Sequence, residues 1–387
     1  MKKVKLGELG EIYTGNTPSK KNKEFYNSND IMFIKPDILD FDINMIAESN
    51  EYISEKARDK ARIVPKNSLL VSCIGNIGKL GINEKETAFN QQINAIVHNE
   101  KIVSSKYLAY LLKYNQKKLE SIANAPVVPI INKTQFSDFE VLIHKNIEIQ
   151  NKIVEVLDKA QDLIDKKIEQ IDLLDELVKS RFIEMFGNVI SNSKHWKMKQ
   201  LKDIAILKSG GTPSRKEPKY FQGEIPWITT VSLGKNIIDE NDAVEFITQE
   251  AIEKSSTKLI ESNSLLFGMR VGVGKISINK IPMCTNQDIV AITKIDENEY
   301  NLICLKKIIE NYSDYFNNQK RGATIQGIKS ETLKNINIPI LPIELQNEFA
   351  VFVEKIDSIK AAAEKSLEQL NDNFNSLIQK AFKGELF

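Results

Sequence analysis

The chain has 387 residues, 27% of them charged, and its 53 Lys and Arg offset 52 Asp and Glu to a net charge of +1. That length is too great for one ordinary core and suits two domains, while the even charge balance excludes a globally basic coat and confines any nucleic-acid surface to local patches. Cys73, Cys284 and Cys304 lack metal-ligand spacing, no apolar run approaches the ~18 residues of a membrane span, and the opening residues carry no signal pattern, so the expectation is a soluble cytoplasmic protein with buried free thiols.

In chain order, Leu6-Gly-Glu-Leu-Gly10 and Thr14-Gly-Asn-Thr-Pro-Ser-Lys20 come first. Short apolar, partly β-branched runs at 31–34, 68–72 and 93–97, punctuated by Gly, Pro and Asn, predict strands. Residues 47–60 read as a short helical candidate and 106–122 as a helix. From 150 to 186, Ile153, Leu157, Ala160, Ile164, Ile168, Ile171, Leu174, Leu177, Phe182 and Met185 recur at steps of three to five, which is one stripe on a long helix. Glu148 puts a carboxylate where the positive end of the helix dipole falls.

The second half repeats the first. Leu201-Lys-Asp-Ile-Ala205 and Ser209-Gly-Gly-Thr-Pro-Ser-Arg215 answer the opening motifs, and Asn67-Ser-Leu-Leu70 returns as Asn263-Ser-Leu-Leu266. Gly75-Asn-Ile-Gly-Lys79 aligns with Val271-Gly-Val-Gly-Lys275, Asn90-Gln-Gln92 with Asn286-Gln-Asp288, and Ile147-Glu-Ile-Gln150 with Ile343-Glu-Leu-Gln346. Helical candidates recur at 247–258 and 302–316, and a second stripe runs through Phe349, Val353, Ile356, Ala363, Leu367, Leu370, Phe374, Leu377 and Ala381. From the glutamine to the closing phenylalanine the second stripe is longer by one four-residue stutter. Such a repeat marks a tandem duplication, each copy a mixed α and β domain followed by a rod of about 50 Å at ~1.5 Å per residue. Chain ends of a compact domain lie close together, so the second rod should run back antiparallel along the first, with approximate two-fold symmetry inside one chain.

No catalytic constellation emerges. The Gly-Lys turns lack Walker spacing and are followed by Leu80 and Ile276 rather than Ser or Thr. His98, His144 and His195 stand alone, and no Gly-rich dinucleotide turn follows a strand. Side chains able to meet DNA are better represented. Asn90, Gln91 and Gln92, with Asn286, Gln287 and Asp288, can bridge an adenine edge, although their recurrence also fits a structural corner. Basic residues cluster at Lys20, Lys21 and Lys23, at Arg58, Lys60 and Arg62, at Arg215, Lys216 and Lys219, and at Lys320 and Arg321, and three or more on one surface favour phosphate contact. Between copies, Trp227 and Arg270 replace Phe33 and Ile74. Arg270 can offer its guanidinium to a guanine, whereas a Trp is more often core.

The Thr-Pro-Ser element after a Gly, the Ile225-Pro-Trp-Ile228 strand, the Gly turn before Asn-Gln, the Pro-Ile-Glu-Leu-Gln346 helix start and the two helix ends, Leu177-Val-Lys-Ser-Arg-Phe182 and Leu377-Ile-Gln-Lys-Ala-Phe382, resemble in their order the specificity subunit of type I restriction-modification systems. The resemblance implies an α+β chain of two homologous mixed α/β target recognition domains, 1–147 and 188–343, joined by long spacer helices at 148–187 and 344–387 that form an antiparallel coiled coil with pseudo-two-fold symmetry. It implies a non-catalytic reader of double-stranded DNA, each domain taking one half of a bipartite asymmetric target. Two methyltransferase subunits would dock on the helices, and restriction subunits would join them in the full complex. No cofactor or metal of its own is expected. The candidate DNA-binding residues are Thr17, Ser19, Lys20, Lys21, Asn76, Lys79, Asn90 and Gln91 in the first copy, and Thr212, Ser214, Arg215, Lys216, Thr229, Arg270, Lys275, Asn286, Gln287, Lys320 and Arg321 in the second. Two alternatives remain at this level: a specificity subunit serving another restriction arrangement, and a coiled-coil scaffold carrying two protein-binding domains.

Overall fold

The two apolar stripes become two uninterrupted helices, Ile147–Phe186 of 40 residues and Ile343–Lys383 of 41. The structure, a computed structural model, describes residues 1–123, 128–320 and 327–387. The chain divides into two units, one of Met1–Glu169 with Lys365–Phe387 and the other of Gln170–Glu364. Each long helix therefore begins in one unit and ends in the other.

In unit 1 a five-stranded sheet has the spatial order Gly10–Thr14, Ile93–His98, Leu69–Ser72, Leu80–Asn83, Met45–Ile46. All neighbours are antiparallel except the last pair. A smaller sheet sets Ile31–Ile34 parallel to Thr87–Phe89, with Tyr52–Ile53 and Ile63–Val64 at its edges. Alternation along one strand explains the layering. Leu69 and Val71 point into a core with Tyr107, Leu108, Ile153, Leu157, Phe374 and Phe382, while Leu70 points the other way, against Ile34, Phe89 and Ile93. A strand buried on both faces reads as an unbroken apolar run, which is why 68–72 was legible.

Unit 2 repeats this plan. Its five-stranded sheet runs Ile206–Ser209, Ile289–Thr293, Ser264–Gly268, Ile276–Asn279, Ile237–Ile238, and its small sheet holds Glu245–Ile247, Ile225–Ile228 and Cys284–Thr285. Leu265 and Phe267 face the helical core with Val178, Phe182, Phe349 and Val353, and Leu266 faces the small sheet. Within this unit the long helices pair antiparallel: Phe182 meets Phe349 at 5.4 Å between ring centroids, and further along Lys360 donates to Asp175 at 2.6 Å. Buried asparagines repeat as well. Asn83 and Asn279 each accept from the backbone N–H of a serine, Ser68 and Ser264, at 2.8 Å, beside Asn67 and Asn263, which both adopt positive φ.

Several local expectations change. Residues 47–60 hold the strand Tyr52–Ile53 and a 3-10 turn, Glu55–Lys60, because Ile53 pairs with Ile31 in the small sheet. Of 247–258 only Gln249–Glu253 is helical, and 106–122 and 302–316 each break in two, at Asn115 and after Glu310. Ile168 and Leu177 are exposed rather than on the buried stripe, and Val178 is buried in place of Leu177. The three cysteines are free and buried, and burial pushes the Cys73 thiol up to about 12 and Cys284 to about 11.

The glutamine that opens each long helix ties it to its domain. Gln150 donates to the carbonyls of His144 at 2.7 Å and Ile102 at 3.0 Å. Gln346 donates to those of Leu341 and Glu299, both at 2.9 Å, and accepts from Asn301 N–H at 3.0 Å. Both side chains are buried. Removing one leaves carbonyls desolvated without a donor, so Gln346→Ala should lower stability by about 2 kcal/mol or more. Glu348→Ala, which breaks only the exposed pair with Arg181, should cost less than about 1 kcal/mol. Denaturant titration followed by circular dichroism measures both, and equal losses would refute the assigned role of Gln346.

Candidate nucleic-acid interface

Most of the predicted contact residues gather where the two sheets of each unit meet, Lys320 and Arg321 apart. In unit 1 the chain passes from Phe89 through Asn90-Gln-Gln92 into Ile93. Asn90 N–H donates to Ile34 O at 3.0 Å, its Oδ1 accepts from Gln92 N–H at 3.1 Å, and its Nδ2 donates to Gln92 Oε1 at 2.9 Å. The loop from Gly15 lies directly across this corner, with Gly15 N–H on Ile93 O at 3.1 Å and Asn16 N–H on Phe89 O at 3.0 Å. A Cβ on Gly15 would overlap the Asn90 carbonyl, so the approach requires glycine. Thr17 Oγ1 then donates to Gln91 Oε1 at 2.8 Å.

Unit 2 builds the same corner. Asn286 N–H donates to Ile228 O at 3.0 Å, Asp288 N–H to Asn286 Oδ1 at 3.2 Å, Gly210 N–H to Ile289 O at 3.1 Å, and Thr212 to Gln287. A Cβ on Gly210 would overlap the Asn286 carbonyl. The Gly turn joins the corner through the backbone: Cys73 N–H donates to Gln92 O, and Met269 N–H to Asp288 O, both at 2.8 Å. Its glycines Gly75, Gly78, Gly272 and Gly274 all take positive φ, a conformation that favours their residue type.

Thr17, Ser19, Lys20, Lys21, Asn76 and Gln91 are exposed around the first corner, and Ser214, Arg215, Lys216, Arg270, Lys275 and Gln287 around the second. Lys79 and Thr212 are half-buried, as is Thr229, which follows the Ile228 carbonyl that receives Asn286. Asn90 and Asn286 are buried and hold their turns. Lys320 follows the helix Ser313–Gln319, and among the described residues no hydrogen bond or ion pair ties it to the corner. Arg321 lies outside the described residues.

Electrostatics sort the basic residues. Arg215 forks onto Glu245 with two bonds of 2.6 Å and covers the Phe221 ring at 4.2 Å, and that carboxylate raises its pKa further. Arg58 is likewise held by Glu55 and Glu86. Lys20, Lys21 and Lys216 are exposed and form no ion pair among the described residues, so their ammonium groups are free to meet an anion. Asn16 connects two of the basic clusters, donating to Lys60 O at 2.7 Å and accepting from Arg62 N–H at 2.5 Å, which puts the 16–21 and 60–62 loops on one surface. Trp227 is buried, its Nε1 donating to Gly211 O at 3.1 Å, and so supports the loop from beneath. Sequence reasoning passed over Asn16, Glu245 and Phe221 because each acts through a neighbour distant in the chain.

Comparison with known proteins bears on the family of the chain. The profile described as type I restriction modification DNA specificity domain matches residues 1–173 and 193–372. The MjaIX specificity subunit of Methanocaldococcus jannaschii is 31% identical over 180 residues, 46% of this chain and 41% of that protein, and the EcoR124I/EcoR124II specificity subunit of Escherichia coli is 27% identical over 221 residues, 56% and 53%. The matched region thus spans about half or less of these relatives' own length. A chain solved for the structural basis of complex assembly and conformational transition of the type I R-M system has the same fold, with a TM-score of 0.64 at 14% identity over 100% of this chain and 98% of that one. With the specificity-domain profile matched once in each half, the chain belongs to the type I restriction-modification DNA specificity family.

Proposed function

We propose that this chain is the DNA-reading subunit of a type I restriction-modification complex. Residues 1–147 and 188–343 each read one half of a bipartite, asymmetric duplex target. Residues 148–187 and 344–387 set the spacer between the halves and carry two methyltransferase subunits, with restriction subunits joining in the full complex. The chain itself does no chemistry. Its work is done in the cytoplasm, where the DNA is.

The observation that carries this reading is the repeated corner. In both units a threonine, a glutamine, exposed lysines and a Gly turn gather on one backbone frame. Lysines and backbone amides suit phosphates, and amide and guanidinium groups suit base edges. A protein-binding scaffold has no need of two such matched polar ends. A separation set by helices is a ruler, because each residue adds about 1.5 Å while each base pair adds about 3.4 Å.

Sequencing the methylated positions in cells that carry the complete complex should reveal a split motif. Deleting four residues from both long helices, about 6 Å, should shorten the unread spacer by about two base pairs; methylated sites that keep their spacing would overturn the ruler. In binding titrations across salt concentrations, Lys21→Ala and Lys216→Ala should weaken every sequence alike and each reduce the slope of log K on log salt by about one. Arg215→Ala should instead lower the melting temperature, since its guanidinium braces Glu245 and Phe221.

A further inference from the structure

At the corner the two units share a backbone frame and differ in three side chains that stand on it. Cys73 N–H donates to Gln92 O at 2.8 Å, and Cys73 O accepts from Ile131 N–H at 2.9 Å. Met269 makes the same two bonds, to Asp288 at 2.8 Å and from Ile328 at 2.9 Å. On this frame unit 1 carries Ile74, Ile130 and Gln92, with Ile74 and Ile130 bridged through their backbones. Unit 2 carries Arg270, Gly327 and Asp288 in the corresponding places.

The second trio is concerted. A Cβ on Gly327 would lie 2.8 Å from Arg270 Cγ and 2.9 Å from Met269 O, so an isoleucine in the manner of Ile130 would displace the arginine stem. Arg270 Nη1 donates to Asp288 Oδ1 at 3.3 Å. The arginine side chain is 56% exposed and the aspartate 18%, so the carboxylate is set back and the guanidinium stands forward. An arginine without that glycine would not fit, and one without that aspartate would not be aimed.

We propose that this trio reads one base pair in each half-site, a G·C pair in unit 2 and an A·T pair in unit 1. The inference rests on the two units being DNA recognition domains. In the major groove guanine offers O6 and N7 to an arginine fork. Arg270 supplies that fork, and the Asp288 carboxylate set behind it holds the fork in one orientation. In unit 1 Gln92 can bridge N6 and N7 of adenine, and Ile74 offers an apolar surface to the thymine methyl. Gly327 is a positioning residue, as is Asp288 in its contact with Arg270.

The test selects bound sequences from randomised duplex DNA with the purified full chain. The unaltered chain should enrich a split motif with an invariant G·C pair in one half. Arg270→Ala should lose the preference at that pair by about ten-fold or more, with the other half unchanged. Asp288→Asn, nearly the same size, should relax the same position and serves if the alanine variant fails to fold. Ile74→Arg with Ile130→Gly and Gln92→Asp should convert one A·T position to G·C in the other half. An unchanged motif in Arg270→Ala and Asp288→Asn overturns the proposal. So does a loss for Arg270→Ala that is uniform over all sequences with a salt slope reduced by about one, which marks a phosphate contact. If the unaltered chain enriches no sequence, the specificity reading itself fails, and the proposal with it.

Discussion

An apolar stripe running the length of a 40-residue helix cannot be left in water, and burying it is the constraint from which the rest of this protein follows. Neither stripe is covered by a single core. The start of the first long helix gives Ile153, Leu157 and Ile164 to unit 1, and its end gives Val178, Phe182 and Phe186 to unit 2. The second helix gives Phe349, Val353 and Ile356 to unit 2, then Phe374, Ile378 and Phe382 to unit 1. Each core is thus completed by segments distant in sequence. The buried glutamines Gln150 and Gln346 fix where each helix leaves its domain, since their bonds to backbone carbonyls hold in only one register.

On top of this framework the corner where the two sheets meet separates two kinds of residue. Gly15, Asn90 and their counterparts Gly210 and Asn286 are committed to backbone geometry: two glycines that let strands cross closely and two buried asparagines that turn the chain. The side chains of Arg270 and Asp288 sit on that geometry and pair with each other, whereas the Gln92 amide is shared with Asn90. A duplicated domain can therefore keep its frame while changing the chemistry it presents. The exchange of Ile130 for Gly327 beside Arg270 shows how small the adjustment is.

Arg215 illustrates how a residue of a basic cluster is engaged within the chain. It lies in a basic cluster beside the Thr-Pro-Ser motif, yet its fork is taken by Glu245 and its face by Phe221. Lys216, next in the chain and likewise exposed, has no carboxylate partner among the described residues. The difference is made by a strand some thirty residues away in sequence, which no local pattern encodes. The region 47–60 erred for a related reason. Ile53 is claimed by Ile31 in the small sheet, and a sheet partner outweighs a modest local helical tendency.

The duplication, the long helices, the strands at 31–34, 68–72 and 93–97 and the likeness to a DNA specificity family were all written in the sequence alone. Those features depend on periodicity and on motifs that lie close together in the chain, which is where sequence carries its strongest physical signal. Only the tertiary structure decided that each stripe is shared between two cores, that Asn90 and Asn286 are buried struts of a turn, that Arg215 is a brace, and that Gly327 and Asp288 seat Arg270. Each of these is a meeting of side chains far apart in the chain, and burial, pairing and aim are properties of that meeting rather than of any residue by itself.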